Sequence, residues 1–219
     1  TGTLEAVLSN AKGVHAVEYT PEIIAQHNKA YGTSYTARDV TEVDPLEVAG
    51  TGADHFHASP VCKNFSKAKR NRGSNDLDIA SARAVVGVIL KAGMPSITIE
   101  NVVDYIGTEP YKMIVEALKA AGYTQRTVKV NAADYGGAQN RTRMVIQAVK
   151  DGELPPLPEK TGPSDWFAAI EDLLPTAEKS TVEAERARGR GWNWEPNRIA
   201  KMVEKGELDA DLPIITMGG

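Results

Sequence analysis

Apolar residues along the first 150 positions fall into short runs separated by longer amphipathic segments. Runs rich in β-branched residues predict strands at 14–17, 53–58, 96–99, 126–130 and 143–149. The helical period and the Thr, Pro and Gly residues at segment ends predict helices over 21–31, 76–92 and 108–122. Alternation of strands and helices favours an α/β layer fold with a mainly parallel sheet.

The pattern changes after Lys150. Four prolines, at positions 155, 156, 158 and 163, fall within nine residues and exclude regular structure there, which predicts a linker over 153–163. Beyond it, 165–174 has the pattern of a short helix, and the remainder to Gly219 is charged without a clear period. The apolar run at the end, 214–217, is unlike a natural terminus.

Composition places the chain among ordinary soluble proteins, with 42% hydrophobic and 25% charged residues. The longest apolar runs are too short to span a bilayer. One cysteine cannot form an internal disulfide, and the first residues lack a signal-peptide pattern, so a cytoplasmic or nucleoid setting is expected.

The net charge of −4 argues against nonspecific coating of nucleic acid, but phosphate binding needs only a local basic surface. Residues 63–72 hold five Lys or Arg and no acid, and 186–198 hold four Arg interleaved with Trp192 and Trp194. Either run could equally be a solvated face.

The only cysteine, Cys62, follows a predicted strand and precedes this basic run. Nearby positive charge lowers a thiol pKa, which favours a reactive nucleophile. A lone intracellular cysteine can also be a small buried hydrophobe.

Cys62, Glu100 and Arg143 each fall at a predicted strand end, and in a doubly wound sheet such ends meet at one crevice. A thiolate, a carboxyl and a guanidinium together suit attack on an electron-poor ring such as a pyrimidine. Taken singly, Glu100 could be a helix-capping acid and Arg143 a surface cation. Glu18, at another strand end, could accept ribose hydroxyls.

The chain resembles the DNA (cytosine-5) methyltransferases. Residues 60–66 are similar to the family's Pro-Pro-Cys nucleophile motif, and 100–102 match its Glu-Asn-Val motif. The longest match is 131–143, which follows Asn-Ala-x-Asp-Tyr-Gly-x-x-Gln-x-Arg-x-Arg. Residues 16–19 resemble the ribose-binding strand end, and 38–40 the segment that holds the adenine of S-adenosylmethionine.

The resemblance implies a Rossmann-like fold, a doubly wound, mostly parallel sheet, and a covalent mechanism. Cys62 would add to C6 of a flipped-out cytosine while Glu100 contacts N3, and C5 then takes the methyl group. Arg143 would hold the cytosine O2, and Arg141 would support the nucleophile loop or a phosphate. No metal ion is implied.

The resemblance also assigns binding residues. S-adenosylmethionine, which leaves as S-adenosylhomocysteine, would be held by Gly2, Glu18, Tyr19, Asp39, Val40 and Pro60. Double-stranded DNA would be gripped by the 63–72 loop and the last motif, through Lys63, Ser66, Lys67, Lys69, Arg70, Arg72 and Gln139.

Two departures from the family pattern stand out. Position 61 is Val where the family usually has a second Pro, and the N-terminal Gly-rich cofactor motif is absent apart from a remnant around Gly2. The last two motifs are also missing, so the chain is expected to be an excerpt, or to be completed by another polypeptide.

The implied organisation is a catalytic and cofactor-binding domain over 1–152, the linker over 153–163, and the end of that domain with the start of the target recognition region over 164–219. The expected protein is a monomeric bacterial or phage enzyme, with or without a restriction endonuclease as its partner. Two alternatives stay open: a transfer-RNA cytosine methyltransferase, and an inactive DNA-binding or regulatory subunit of the same fold.

Overall fold

The computed structural model of the chain describes residues 15–61, 76–165, 168–172 and 205. The chain divides into two units, Thr1–Pro163 and Ser164–Gly219. All the strands and helices below belong to the first unit.

In the part of the chain that the structure describes, four strands form one mixed sheet in the order β1-β2-β4-β3. They are β1 (His55–Ala58), β2 (Ser96–Asn101), β3 (Thr124–Asn131) and β4 (Thr142–Val149). A long crossover makes β2 parallel to β1, whereas β4 runs antiparallel to both β2 and β3. The ten residues between β3 and β4 are too few for a parallel crossover, so that pair has to be antiparallel. Among the described strands the sheet is therefore less parallel than expected.

Within the described residues, four α-helices accompany the sheet: α1 (Pro21–Tyr31), α2 (Pro45–Ala49), α3 (Asp76–Ala92) and α4 (Glu109–Ala120). Three of them have proline in the first turn, which is suited to a helix start. The side chain of Thr108 caps α4. Gly32 follows α1 with φ of 64°, a left-handed conformation that glycine adopts without strain.

The core lies between one face of the sheet and helices α3 and α4. Alternate residues of β2 and β4 point into it, among them Ile97, Ile99 and Ile146. Helix α3 adds Val85 and Ile89. The opposite face of β2 carries Ser96, Thr98 and Glu100, so one face of this strand packs in the core and the other is polar.

The strand expected at 14–17 is wrong for its described residues, since 15–17 are not in a strand. Residue types that favour a strand are not enough to form one here, because a strand also needs a pairing partner and none of the described strands pairs with 15–17. Instead, one backbone hydrogen bond, from the Arg38 N–H to the Glu18 carbonyl at 2.9 Å, ties this segment to a later loop. Glu18 therefore does not lie at the end of a strand.

The other element predictions need smaller changes. Helices α1 and α3 have the expected bounds, and α4 lies inside its expected range. Strand β1 begins two residues late, and β2 continues through Glu100 and Asn101 because β4 pairs with both. The short helix α2 was not expected. No described helix is long and apolar enough to cross a membrane.

The proline-rich segment has no helix or strand from 153 to 161, as expected, but it is attached to the first unit. Gly162 forms an isolated bridge with Tyr135, and Lys160 pairs with Asp134 at 2.7 Å. Of the expected helix at 165–174, residues 168–170 form a turn and 171–172 have 3-10 conformation, and one backbone hydrogen bond joins the Ala169 N–H to the Asp165 carbonyl.

Candidate active site

Glu100 and Arg143 form an ion pair at the end of the sheet. The Nε of Arg143 lies 2.9 Å from Oε1 of Glu100, and the side chains are 26% and 31% exposed. Glu100 is opposite Val145 on β4, so Arg143, two residues earlier, lies diagonally across on the same face. The strand register thus brings together two of the expected catalytic residues.

Ser59 provides a second contact to the same carboxylate. Its hydroxyl donates to Oε2 of Glu100 at 3.1 Å, so each carboxylate oxygen has a different partner. Ser59 directly follows β1, which pairs in parallel with β2, and this brings residues 41 positions apart into contact. A carboxylate held at both oxygens has a restricted orientation.

A row of polar side chains leads away from Glu100 across the polar, partly buried face of β1 and β2. His57 Nε2 lies 3.4 Å from the Ser59 hydroxyl, and its Nδ1 lies 2.8 Å from the Thr98 hydroxyl. His55 continues the row, with its Nε2 2.9 Å from Thr98 and its Nδ1 2.7 Å from Ser96. Partial burial lowers the pKa of His57, although the charge of Glu100 acts in the opposite direction. This favours neutral imidazole beside the carboxylate.

The peptide group between Pro60 and Val61, one residue before Cys62, is hydrogen-bonded on both sides. Asn101 Nδ2 donates to the Pro60 carbonyl at 3.0 Å, and the Val61 N–H donates to the Ser81 hydroxyl at 3.1 Å. Asn101 and Ser81 are 2% and 3% exposed. Pro60, expected at the cofactor, is itself buried.

The loop from β3 to β4 is shaped by Asn131 and Gly137. Asn131 Oδ1 accepts the Arg141 N–H at 3.0 Å, and the Gly137 N–H donates to the Ala132 carbonyl at 2.9 Å. A Cβ at position 137 would come within 2.7 Å of that carbonyl oxygen, so only glycine fits. The loop leaves Gln139 and Arg141 exposed, where they can reach a substrate.

The expected cofactor residues Glu18 and Asp39 lie on segments joined by the Arg38 to Glu18 backbone bond. Glu18 accepts the Thr20 N–H at 3.0 Å through Oε1, and Asp39 accepts the Thr41 N–H and hydroxyl through Oδ1. The two hydrogen bonds from Thr41 hold the pKa of Asp39 below its usual value, and the one from the backbone N–H is the larger cause. Each carboxylate has a second oxygen that suits a hydroxyl or amino donor, so the pair fits the ribose and adenine of the expected cofactor.

Tyr19 and Val40 flank these acids. Tyr19 is 61% exposed and Val40 is half-buried. An aromatic ring and an aliphatic side chain offer apolar surface suited to a purine. The remaining predicted site residues lie outside the described residues: Gly2, Cys62, Lys63, Ser66, Lys67, Lys69, Arg70 and Arg72.

Sequence reasoning missed Ser59, His57 and Ser81. His57 on β1 and Ser59, which directly follows β1, are two positions apart, and this spacing indicates that their side chains lie on the same face of the sheet. Nothing in the local sequence marks Ser81, a serine within a long helix, since its partner is 20 positions away.

The family model for C-5 cytosine-specific DNA methylases matches residues 2–203. The chain belongs to this family. The expected resemblance to the DNA (cytosine-5) methyltransferases is thereby confirmed.

Two relatives within the family are named Type II methyltransferases. One is M1.HgaI of Avibacterium volantium, 26% identical over 214 residues, which are 92% of this chain and 58% of that protein. The other is M.XorII of Xanthomonas oryzae pv. oryzae, 30% identical over 178 residues, 75% of this chain and 42% of that protein. The chain thus spans about half the length of these methylases.

Solved structures confirm the methyltransferase fold. The Dnmt2 methyltransferase of S. pombe superimposes with a TM-score of 0.58 at 16% identity, covering 81% of this chain and 50% of that one. A putative DNA modification methyltransferase encoded within an E. coli prophage gives 0.52 at 23% identity, covering 68% and 43%. The expected Rossmann-like class is correct, whereas the antiparallel pairs that β4 forms with β2 and β3 were not expected.

Proposed function

We propose that the protein transfers the methyl group of S-adenosylmethionine to C5 of a cytosine in double-stranded DNA, by way of a covalent bond from Cys62 to C6. The observation that carries the proposal is the ion pair of Glu100 and Arg143, 2.9 Å long, whose carboxylate also accepts a hydrogen bond from Ser59, three residues before Cys62 in the sequence. Membership of the C-5 cytosine-specific DNA methylase family supports the same reaction.

The carboxyl of Glu100 would act at the ring nitrogen N3. As the Cys62 thiolate forms its bond to C6, electron density moves toward N3, and a proton shared with Glu100 stabilises that charge. The density at C5 rises at the same time, which makes C5 a nucleophile. Ser59 would keep the second carboxylate oxygen of Glu100 in place throughout.

Arg143 would hold the exocyclic O2 of the same base. Its guanidinium already lies within hydrogen-bond distance of Glu100, so both groups face one small volume at the sheet end. A cytosine inside a duplex cannot reach this volume, so the base would have to leave the helix stack. The exposed side chains of Gln139 and Arg141 are suited to the surrounding backbone phosphates.

The cofactor would be held by Glu18 at the ribose and by Asp39 at the adenine amino group, with Tyr19 and Val40 supplying apolar surface. When bound, S-adenosylmethionine supplies an electrophilic methyl group. After transfer, loss of the C5 proton and release of Cys62 from C6 would regenerate the thiol and leave 5-methylcytosine. A restriction endonuclease partner is proposed because both relatives above are named Type II methyltransferases.

The test is a duplex in which the target cytosine carries fluorine at C5, incubated with the purified protein and S-adenosylmethionine. Fluorine cannot leave as a proton does, so the protein should remain bonded to the DNA, with the crosslinked peptide containing Cys62. Cys62→Ser should form no adduct and lose methyl transfer, while its DNA affinity stays within about twofold. Mass spectrometry of the digested complex reads out the bond.

The same preparation should be offered unmodified duplex DNA and transfer RNA with tritiated methyl donor. Label in DNA alone supports the proposal. Label in transfer RNA alone would assign the RNA substrate instead, and binding of DNA without labelling of either would indicate an inactive subunit.

A further inference from the structure

The two polar groups of a single peptide bond, the one between Pro60 and Val61, are both taken by side chains from elsewhere in the fold. Asn101 at the end of β2 donates to its carbonyl at 3.0 Å. Ser81, in the second turn of α3, accepts its N–H at 3.1 Å. A peptide unit is planar, so two bonds to its opposite sides fix its rotation as well as its position.

Both partners are rigidly placed. Asn101 is 2% exposed, and its Oδ1 accepts the N–H of Val102 at 2.8 Å. Ser81 is 3% exposed and lies on the face of α3 that carries the buried residues Ala82 and Val85. The rest of the core therefore holds these two side chains in the orientation that meets the peptide.

The N–H that Ser81 accepts exists only because position 61 is not proline. A proline there would have no N–H, and its ring would hold φ near −65° by itself. Valine leaves φ freer, and its half-buried N–H needs a hydrogen-bond partner. The Ser81 hydroxyl meets that need and restores a restraint at the same position.

We propose that Ser81 is a positioning residue for Cys62: with Asn101 it clamps the Pro60–Val61 peptide group and so sets the direction in which the chain enters the nucleophile. The proposal rests on the proposed function only in assigning Cys62 as the nucleophile. Ser81 itself touches neither substrate nor cofactor and acts through the backbone.

The test is a double-mutant cycle on Ser81→Ala and Val61→Pro, read as the rate of adduct formation with the fluorinated duplex. In the natural background, Ser81→Ala should lower this rate about tenfold and leave the KM for DNA within about twofold. In the Val61→Pro background, where the N–H is absent, the same change should cost less than about twofold. Ser81→Thr, which keeps the acceptor oxygen, should retain most of the natural rate.

Ser34→Ala is the matched control, because Ser34 is an exposed serine outside the site. An equal loss from Ser81→Ala in both backgrounds, or no loss in either, would overturn the clamp. Amide hydrogen exchange at Val61 gives an activity-independent reading: the N–H should exchange at least tenfold faster in Ser81→Ala. Unchanged protection at Val61 would also overturn the clamp, even if Val61→Pro failed to fold.

The two failures are distinguishable. If the natural protein forms no adduct, the proposed function fails, and hydrogen exchange still decides whether Ser81 holds the peptide. If the natural protein reacts and the cycle is additive, the proposed function stands and the positioning role of Ser81 is refuted.

Discussion

At the scale of single residues, the site is organised around the carboxylate of Glu100. Arg143 holds one oxygen at 2.9 Å and Ser59 the other at 3.1 Å. A surface ion pair contributes little to stability, about 0–1 kcal/mol, so this pair is better explained by orientation than by folding. Because Ser59 also orients this carboxylate, we expect Ser59 to affect the rate of methyl transfer directly.

We expect Ser59→Ala to lower kcat about tenfold, because a hydrogen bond to a charged acceptor contributes about 1.5 kcal/mol or more. Ser59→Thr keeps the hydroxyl and should recover most of the rate. Single-turnover kinetics with tritiated methyl donor would measure both.

The matched control is Ser96→Ala, which removes a hydroxyl from the same face of the sheet but does not contact Glu100. An equal loss in this control would mean that Ser59 acts through general stability.

At the scale of elements, one face of β2 packs in the core and the other carries the polar side chains of the candidate site. Ile97, Ile99 and Asn101 point to the core, and Ser96, Thr98 and Glu100 to the polar face. Two histidines of β1 lie in the polar row on that second face, His55 and His57. Partial burial is the main cause that lowers both pKa values below their ordinary 6.5.

These histidines should make stability depend on pH. A depressed pKa in the folded state means that, as the pH falls below about 6.5, the unfolded chain takes up the proton first. The stabilisation is therefore full above pH 6.5 and is lost as the pH falls through the folded pKa. Urea unfolding at pH 7.5 and pH 5.5 should show a smaller free energy of unfolding at the lower pH.

Replacement His57→Gln should reduce that difference, since glutamine does not titrate. Lys112→Gln on the exposed side of α4 is the control and should leave the difference as it is. If the free energy of unfolding depended on pH equally in the natural protein and in His57→Gln, His57 would not be a source of the pH dependence.

At the scale of the whole molecule, a chain of net charge −4 is proposed to bind a polyanion, so the attraction has to be local. The basic run at 63–72 starts one residue after Cys62 and has five cations without an acid. If these contact phosphates, each contact releases counterions, and binding weakens with salt by about 0.9 logarithmic units per contact for each tenfold rise.

The double replacement Lys67→Gln and Lys69→Gln should therefore lower the slope of log K against log salt by about two. Fluorescence anisotropy with a labelled duplex between 50 mM and 200 mM salt, the range over which such contacts weaken binding by several powers of ten, measures this slope. The control pair Lys112→Gln and Lys119→Gln changes the net charge equally on α4, and should leave the slope unaltered. Equal changes in both pairs would show that total charge matters and the loop does not.

Much of this protein is determined by its sequence alone, because the signals are local. Helix bounds follow from prolines, caps and the apolar period, and α1 and α3 begin and end where those signals place them. The family follows from three motifs in order, each readable within a dozen residues. Local signals also mislead: 15–17 have the residues of a strand but no described partner.

Tertiary structure decided everything that depends on residues distant in sequence. The register of β2 with β4 sets Arg143 diagonally across from Glu100, 43 positions earlier in the sequence, and the parallel pairing of β1 with β2 places Ser59 beside the same carboxylate. The hold of Ser81 on Val61 likewise exists only once α3 has packed. Such contacts leave no periodic mark in the sequence, because each arises from the way separate elements share one core.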